Sequence, residues 1–223
     1  MLQILEYFIM IKILGRFGVI LLLFISSSSF SQQNDFLSWN SIKITKKVYK
    51  RTNLAFKQGL RLRENASLVS NTFSDIKLTH KIRKKDIRLS AGYRLGFDFD
   101  PAMIKHNHRA FLDFNYRYKL DRMLFRYRKR LQYDLNNQSG DFLYRHKVSA
   151  SYNVRKTPFE PYIGFECFIN DNIIIDKLRY TTGFSHPIYK DVDFGIYYRL
   201  QRPITSKEPS NLFILGALLE YKM

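Results

Sequence analysis

The 223-residue chain has a single cysteine, Cys167, which excludes an intramolecular disulfide and any metal site built from several cysteines. Cys167 falls on the apolar face of its segment, where a lone thiol behaves as a small hydrophobe. Acidic residues are also scarce, 19 Asp and Glu against 37 Lys and Arg, for a net charge of +18. Beyond residue 31 no stretch supplies the roughly 20 consecutive apolar residues of a helical membrane span. The mean hydropathy of −0.29, with 45% hydrophobic residues, agrees with that exclusion. It does not exclude a β-barrel, whose polar lumen face hides the membrane signal in any average. There is one tryptophan against 19 Phe and 15 Tyr, and rings of that kind supply either a β core or interfacial girdles.

What is present is alternation. From Asp86 to Phe99 the odd positions are Ile87, Leu89, Ala91, Tyr93, Leu95, Phe97 and Phe99. The even ones are Asp86, Arg88, Ser90, Gly92, Arg94, Gly96 and Asp98. A period of two held this long excludes a helix and matches the roughly 9–11 residues of a tilted membrane strand. The same pattern recurs along the chain: Leu54–Arg63, Asp75–Arg83, Arg109–Leu120, Phe125–Leu135, Phe142–Arg155, Tyr162–Cys167, Leu178–Ser185, Val192–Gln201 and Phe213–Tyr221. Lys129 and His146 interrupt otherwise apolar faces. The fold expected is all-β: a closed antiparallel transmembrane β-barrel of about 10–12 strands.

The N-terminus reads as a secretory signal over residues 1–31, followed by the barrel over 32–223. Lys12 and Arg16 form the basic region, Phe17–Ile25 the apolar run and Ser29-Phe30-Ser31 the small-x-small cleavage site. Met10 is a better start than Met1. Export of this kind removes the chain from nucleic acid, despite its charge.

Links at Lys84-Lys85, Asp121-Arg122, Lys156-Thr157-Pro158 and Lys190-Asp191 are short. They alternate with longer ones at Asn65–Asn71, Asp100–Asn107, Asn136–Asp141, Asn170–Asp176 and Pro203–Asn211. Short turns are periplasmic in such barrels, so about ten strands with both ends on the periplasmic side follow. Phe36–Lys47 is left over, because Leu37, Trp39, Ile42 and Ile44 do not share one face. It is a plug-like or partial segment, or belongs with a further strand.

Three short motifs carry a resemblance: Phe36-Leu37-Ser38-Trp39, the Arg-x-Arg-Glu of Arg61–Glu64, and Ser-Ala-Gly-Tyr-Arg at Ser90–Arg94. Together they resemble the small Gram-negative outer-membrane barrels grouped only as a domain of unknown function. That resemblance implies fold and location, the cell outer membrane, and assigns no activity to any residue.

The strongest chemical signal is basic. Arg109, Arg117, Lys119, Arg126, Arg128, Arg130, Arg145, Lys147 and Arg155 fall on the inward faces of three consecutive strands. Like charges a few ångströms apart repel by about 1 kcal/mol per pair even in water, so something must compensate. The counter-charges available are Glu64, Asp113, Asp134, Glu166, Asp193 and Glu220. Pairing across the lumen would make a closed, salt-bridged barrel. A wet lumen would favour anions instead, and a basic rim would bind lipid phosphate. The expected partners are outer-membrane lipid, the barrel-assembly machinery, and an anionic solute or lipid phosphate; no cofactor is implied.

The leading function is a narrow or plugged anion-favouring channel or structural barrel. The alternative of another class is a lipid-modifying enzyme, an acyl hydrolase or transferase, which needs a His and a Ser converging at the outer rim. His80, His106, His108, His146 and His186 are available, Ser185 precedes His186, and there is no Gly-x-Ser-x-Gly elbow. Asp98, Asp100, His106 and His108 form the one spacing that could hold a metal at a rim.

Overall fold

The structure is a computed structural model and describes residues 36–82, 86–100, 102–136, 142–205 and 211–223. The expected signal segment lies outside the described residues. The strands are β1 (Phe36–Tyr49), β2 (Thr52–Arg63), β3 (Leu68–Lys81), β4 (Ile87–Phe99), β5 (Ile104–Leu120) and β6 (Met123–Asp134). They continue with β7 (Phe142–Tyr152), β8 (Glu160–Asn170), β9 (Ile175–Tyr189), β10 (Val192–Pro203) and β11 (Leu212–Lys222). Each bonds to its chain neighbour, and β11 closes onto β1 to complete the barrel. Closure leaves no free edge on which a second chain could pair.

The leftover segment is therefore a full strand. Phe36–Lys47 lies within β1, antiparallel to β2 and parallel to β11, with Ile42 opposite Gln58 and Leu219. Its pattern misleads because its polarity inverts half-way. Leu37 and Trp39 point inward beside Ser41 and Lys43, while Ser38 and Asn40 point outward beside Ile42 and Ile44. The ten strands β2–β11 start and finish at one rim, as expected, and β1 makes the count odd. An odd count makes first and last strands parallel, so Phe36 and Met223 lie at opposite rims. The Met223 N–H extends the seam by bonding the Thr45 carbonyl at 2.8 Å, and on the other side of β1 the Ala66 N–H of the β2–β3 turn bonds the Phe36 carbonyl at 3.1 Å.

One rim, the turn rim, carries the turns 50–51, 121–122, 153–159 and 190–191; the opposite rim carries 64–67 and 171–174. The length contrast is weaker than the sequence suggests. The strands β3 and β5 begin at Leu68 and Ile104, inside stretches that read as loop, because Ser70-Asn71 and Lys105-His106-Asn107 put polar residues on both faces. The outer surface is an apolar belt with Leu54, Phe56, Ile76, Leu78, Leu112, Val148, Ile163 and Leu215 exposed. Tyr49, Tyr116, Tyr118, Tyr152, Tyr189 and Tyr221 ring the turn rim. Cross-strand ring pairs on the outside, such as Tyr133–Phe142 at 4.8 Å and Phe165–Tyr180 at 5.3 Å, stiffen the wall.

Candidate functional site

The inward face is built from rings laid flat on glycines. Gly59 lies opposite Phe73, and a Cβ there would stand 2.2 Å from the ring. Gly92 and Phe111 repeat the arrangement with 2.3 Å. Only glycine lets a ring lie against the wall at these positions, which leaves room for a cavity inside the barrel. Each ring then supports a guanidinium: Arg94 lies 3.8 Å from the Phe73 centroid and Arg130 lies 4.0 Å from that of Phe111. The acid two residues beyond each ring takes the same arginine in a fork. Arg94 donates to Asp75 at 2.5 and 2.7 Å, and Arg130 to Asp113 at 2.6 and 2.9 Å. Ring, acid and arginine thus recur as a unit on β3–β4 and again on β5–β6.

A third version has no glycine. Phe168 and Glu166 on β8 hold Arg145, with its guanidinium 4.6 Å from the ring and Nη2 2.9 Å from the carboxylate. Glu166 also accepts from Arg128 at 2.6 Å and from Arg179 at 3.2 Å. One carboxylate thus ties guanidiniums from β6, β7 and β9 together. Three further lumen acids are paired, Lys43 with Glu220 at 2.7 Å, Arg109 with Asp134 at 3.0 Å, and Lys222 with Asp193, while Asp98 is held by the Asn71 amide at 2.6 Å. Arg126 and Glu160 stand 3.7 Å apart near the turn rim.

The acids run out before the cations do. Among the described residues, Lys57, Arg61, Lys77, Lys147 and Arg199 have no carboxylate within 4.0 Å. All of them line a cavity of about 790 Å³ inside the barrel, with Asp75, Glu166 and Glu220 among its few acids.

Of the residues singled out in the sequence, Arg109, Arg128, Arg130, Arg145 and Lys147 line this cavity. Arg117 and Arg126 pair in register toward the turn rim, and Lys119 stands exposed at the end of β5. Arg155 does not belong with them: β7 ends at Tyr152, and Arg155 is exposed in the 153–159 turn. Glu64 sits at the opposite rim, 3.7 Å from Arg63. Most of the pairing runs between neighbouring strands along the wall and not across the lumen.

Sequence reading missed Lys43, Lys57, Arg61, Lys77, Arg94, Arg179 and Arg199, which carry the basic ring around the barrel. All but Lys43 lie on the polar face of an alternating strand, so extending the same count to every strand would have found them; Lys43 lies on β1, whose pattern inverts. The inward rings Trp39, Phe73, Phe111, Phe168 and Tyr197 carried no such signal, since an aromatic on a polar face reads as a lapse in the pattern.

The histidines do not converge. His80 bonds Thr52 at 3.0 Å, His108 bonds Tyr93 at 2.5 Å and His146 bonds Tyr127 at 2.8 Å, all on the outer surface. Asp98 points inward to Asn71 at 2.6 Å, while His106 packs its ring on Phe97 outside. The period of two separates the acids from the histidines that their spacing had brought together. No group of metal-ligating side chains occurs among the described residues.

The family described as "Protein of unknown function (DUF2490)" matches residues 36–209, from the first residue of β1 into the last loop. The chain belongs to that family. Its DUF2490 barrel has the fold of a porin. The NanC porin, solved in a rhombohedral crystal form, superposes with a TM-score of 0.53 at 10% identity, over 82% of this chain and 95% of that one. No curated protein matches the sequence.

Proposed function

We propose that this DUF2490 barrel resides in the outer membrane and admits small anionic solutes to its lumen. The observation that carries the reading is the surplus of cations. Lys57, Arg61, Lys77, Lys147 and Arg199 face the 790 Å³ cavity without carboxylate partners. In a low-dielectric wall such charges repel one another, and counter-ions from solution relieve that repulsion. Rings of Arg and Lys select anions by the same physics. The belt of exposed Leu, Ile, Phe and Val, with tyrosines at the turn rim, supports the membrane location. The porin fold supports it too. Export through residues 1–31 and insertion by the assembly machinery complete the reading.

Planar-bilayer recording of the refolded chain under a salt gradient tests this. Discrete steps with a reversal potential on the anion side are expected. The variant Lys57→Glu with Lys147→Glu should move that potential toward cations. A folded, inserted barrel without conductance would leave a sealed structural barrel.

A further inference from the structure

We propose that the Trp39 wall of the lumen is a binding site for a doubly charged tetrahedral oxyanion, the phosphate group of a small solute. The site rests on the reading of a lumen that admits anions. It begins at the parallel seam, at an apolar stretch of the inner wall. Leu37, Ile214 and Leu218 face inward there with Trp39 and Gly216, and Ile214 is fully buried. The ring of Tyr197 lies over Gly216, where a Cβ would stand 2.1 Å from it, and its hydroxyl donates to the Trp39 carbonyl at 3.2 Å. That contact spans β11 and fixes Trp39 on β1.

Guanidiniums from both sides reach over this apolar floor. Arg61 of β2 lies 4.3 Å from the indole centroid, Arg179 of β9 5.3 Å and Arg199 of β10 5.4 Å. Their states differ. Arg179 is held by Gln201 at 2.5 and 3.1 Å and by Glu166 at 3.2 Å. Arg199 uses only Nε, toward Thr181 at 3.1 Å, which leaves both terminal nitrogens free. The Arg61 guanidinium has neither hydrogen bond nor ion pair among the described residues; only its backbone carbonyl is engaged, by the Ser70 hydroxyl at 3.1 Å. Two uncompensated charges with free donor forks therefore face one indole, and Lys57 lies two inward positions before Arg61 on β2. A carboxylate would neutralise one of them. A dianion neutralises both, and its several oxygens match two forks at once. Chloride offers no directional acceptors. Phosphate and sulfate share the required chemistry, and protonation distinguishes them, because a phosphate monoester loses its second charge below about pH 6.

Trp39 is the only tryptophan in the chain, so the site contains its own reporter. The refolded barrel in detergent, at constant ionic strength, is titrated with inorganic phosphate, glycerol phosphate, sulfate, acetate and chloride, read by Trp39 fluorescence and by calorimetry. Saturable binding of phosphate, glycerol phosphate and sulfate is expected at about pH 8, with acetate and chloride about tenfold weaker or worse. Lowering the pH to about 5 should weaken both phosphates and spare sulfate. Arg61→Gln and Arg199→Gln should each weaken binding about tenfold, whereas Arg117→Gln at the turn rim should not. Should a Gln variant fail to give a heat-modifiable barrel, Arg61→Lys keeps the charge and removes the fork, and a loss of several-fold is expected. Equal response to acetate and phosphate, no saturable response, or unchanged binding in the arginine variants overturns the site. Conductance without saturable phosphate binding would sink this site and leave the channel; binding without conductance would do the reverse.

Discussion

Arg130 and Asp113 meet in a two-bond fork at 2.6 and 2.9 Å, and the Asp113 side chain retains only 1% of its accessible surface. Two neighbouring strands are joined by this pair at a depth where bulk water cannot replace either partner. Removing one of them strands the other. Asp113→Asn should cost about 3–5 kcal/mol, whereas Asp113→Leu with Arg130→Met should cost much less. Urea unfolding in lipid vesicles checks both, and equal losses would show that the charges contribute little.

The rings on glycine make a second, steric prediction. Gly92→Ala puts a Cβ about 2.3 Å from the Phe111 ring, so the ring and the guanidinium resting on it must move. A loss of about 1–3 kcal/mol is expected. Combining it with Phe111→Leu should recover part of that loss, with a coupling of about 0.5–3 kcal/mol in a double-mutant cycle. Additive losses would mean that ring and glycine do not sense each other.

Glu166 is the lumen's most shared counter-charge. Glu166→Gln removes one negative charge and loosens Arg128, Arg145 and Arg179 together. In bilayer recordings the reversal potential should move further toward the anion side. Unfolding measured in parallel should show a loss of about 3–5 kcal/mol. An unchanged reversal potential would place the selectivity elsewhere.

Lys129 faces outward from the middle of β6, opposite Phe114 and His146, and is exposed. A lysine at the lipid midplane costs about 2–4 kcal/mol in a barrel wall. Lys129→Leu should therefore stabilise the barrel in vesicles by a comparable amount. No gain would mean that lipid does not cover this part of the wall.

The alternation made most of the barrel legible. From Leu54 to Tyr221 the strands, their inward faces and the odd charges at Lys129 and His146 follow from side-chain period alone, because successive residues of a strand must point to opposite sides. The first strand escaped, since Leu37 and Trp39 take the inward side where Lys43 follows. Its apolar lumen face makes sense only beside Ile214 and Gly216, more than 170 residues away in register.

The basic character of the lumen, the membrane-type strand length and the shortage of acids were properties of the sequence by itself, fixed by composition and period. Which cations keep a carboxylate was decided only by tertiary structure. Register sets Arg94 opposite Asp75 and Arg130 opposite Asp113, and curvature gathers Arg128, Arg145 and Arg179 on Glu166. Closure through a parallel seam then leaves Arg61 and Arg199 around Trp39 with their charge unspent. Contacts between the two ends of a chain depend on strand number and stagger, which no local pattern encodes.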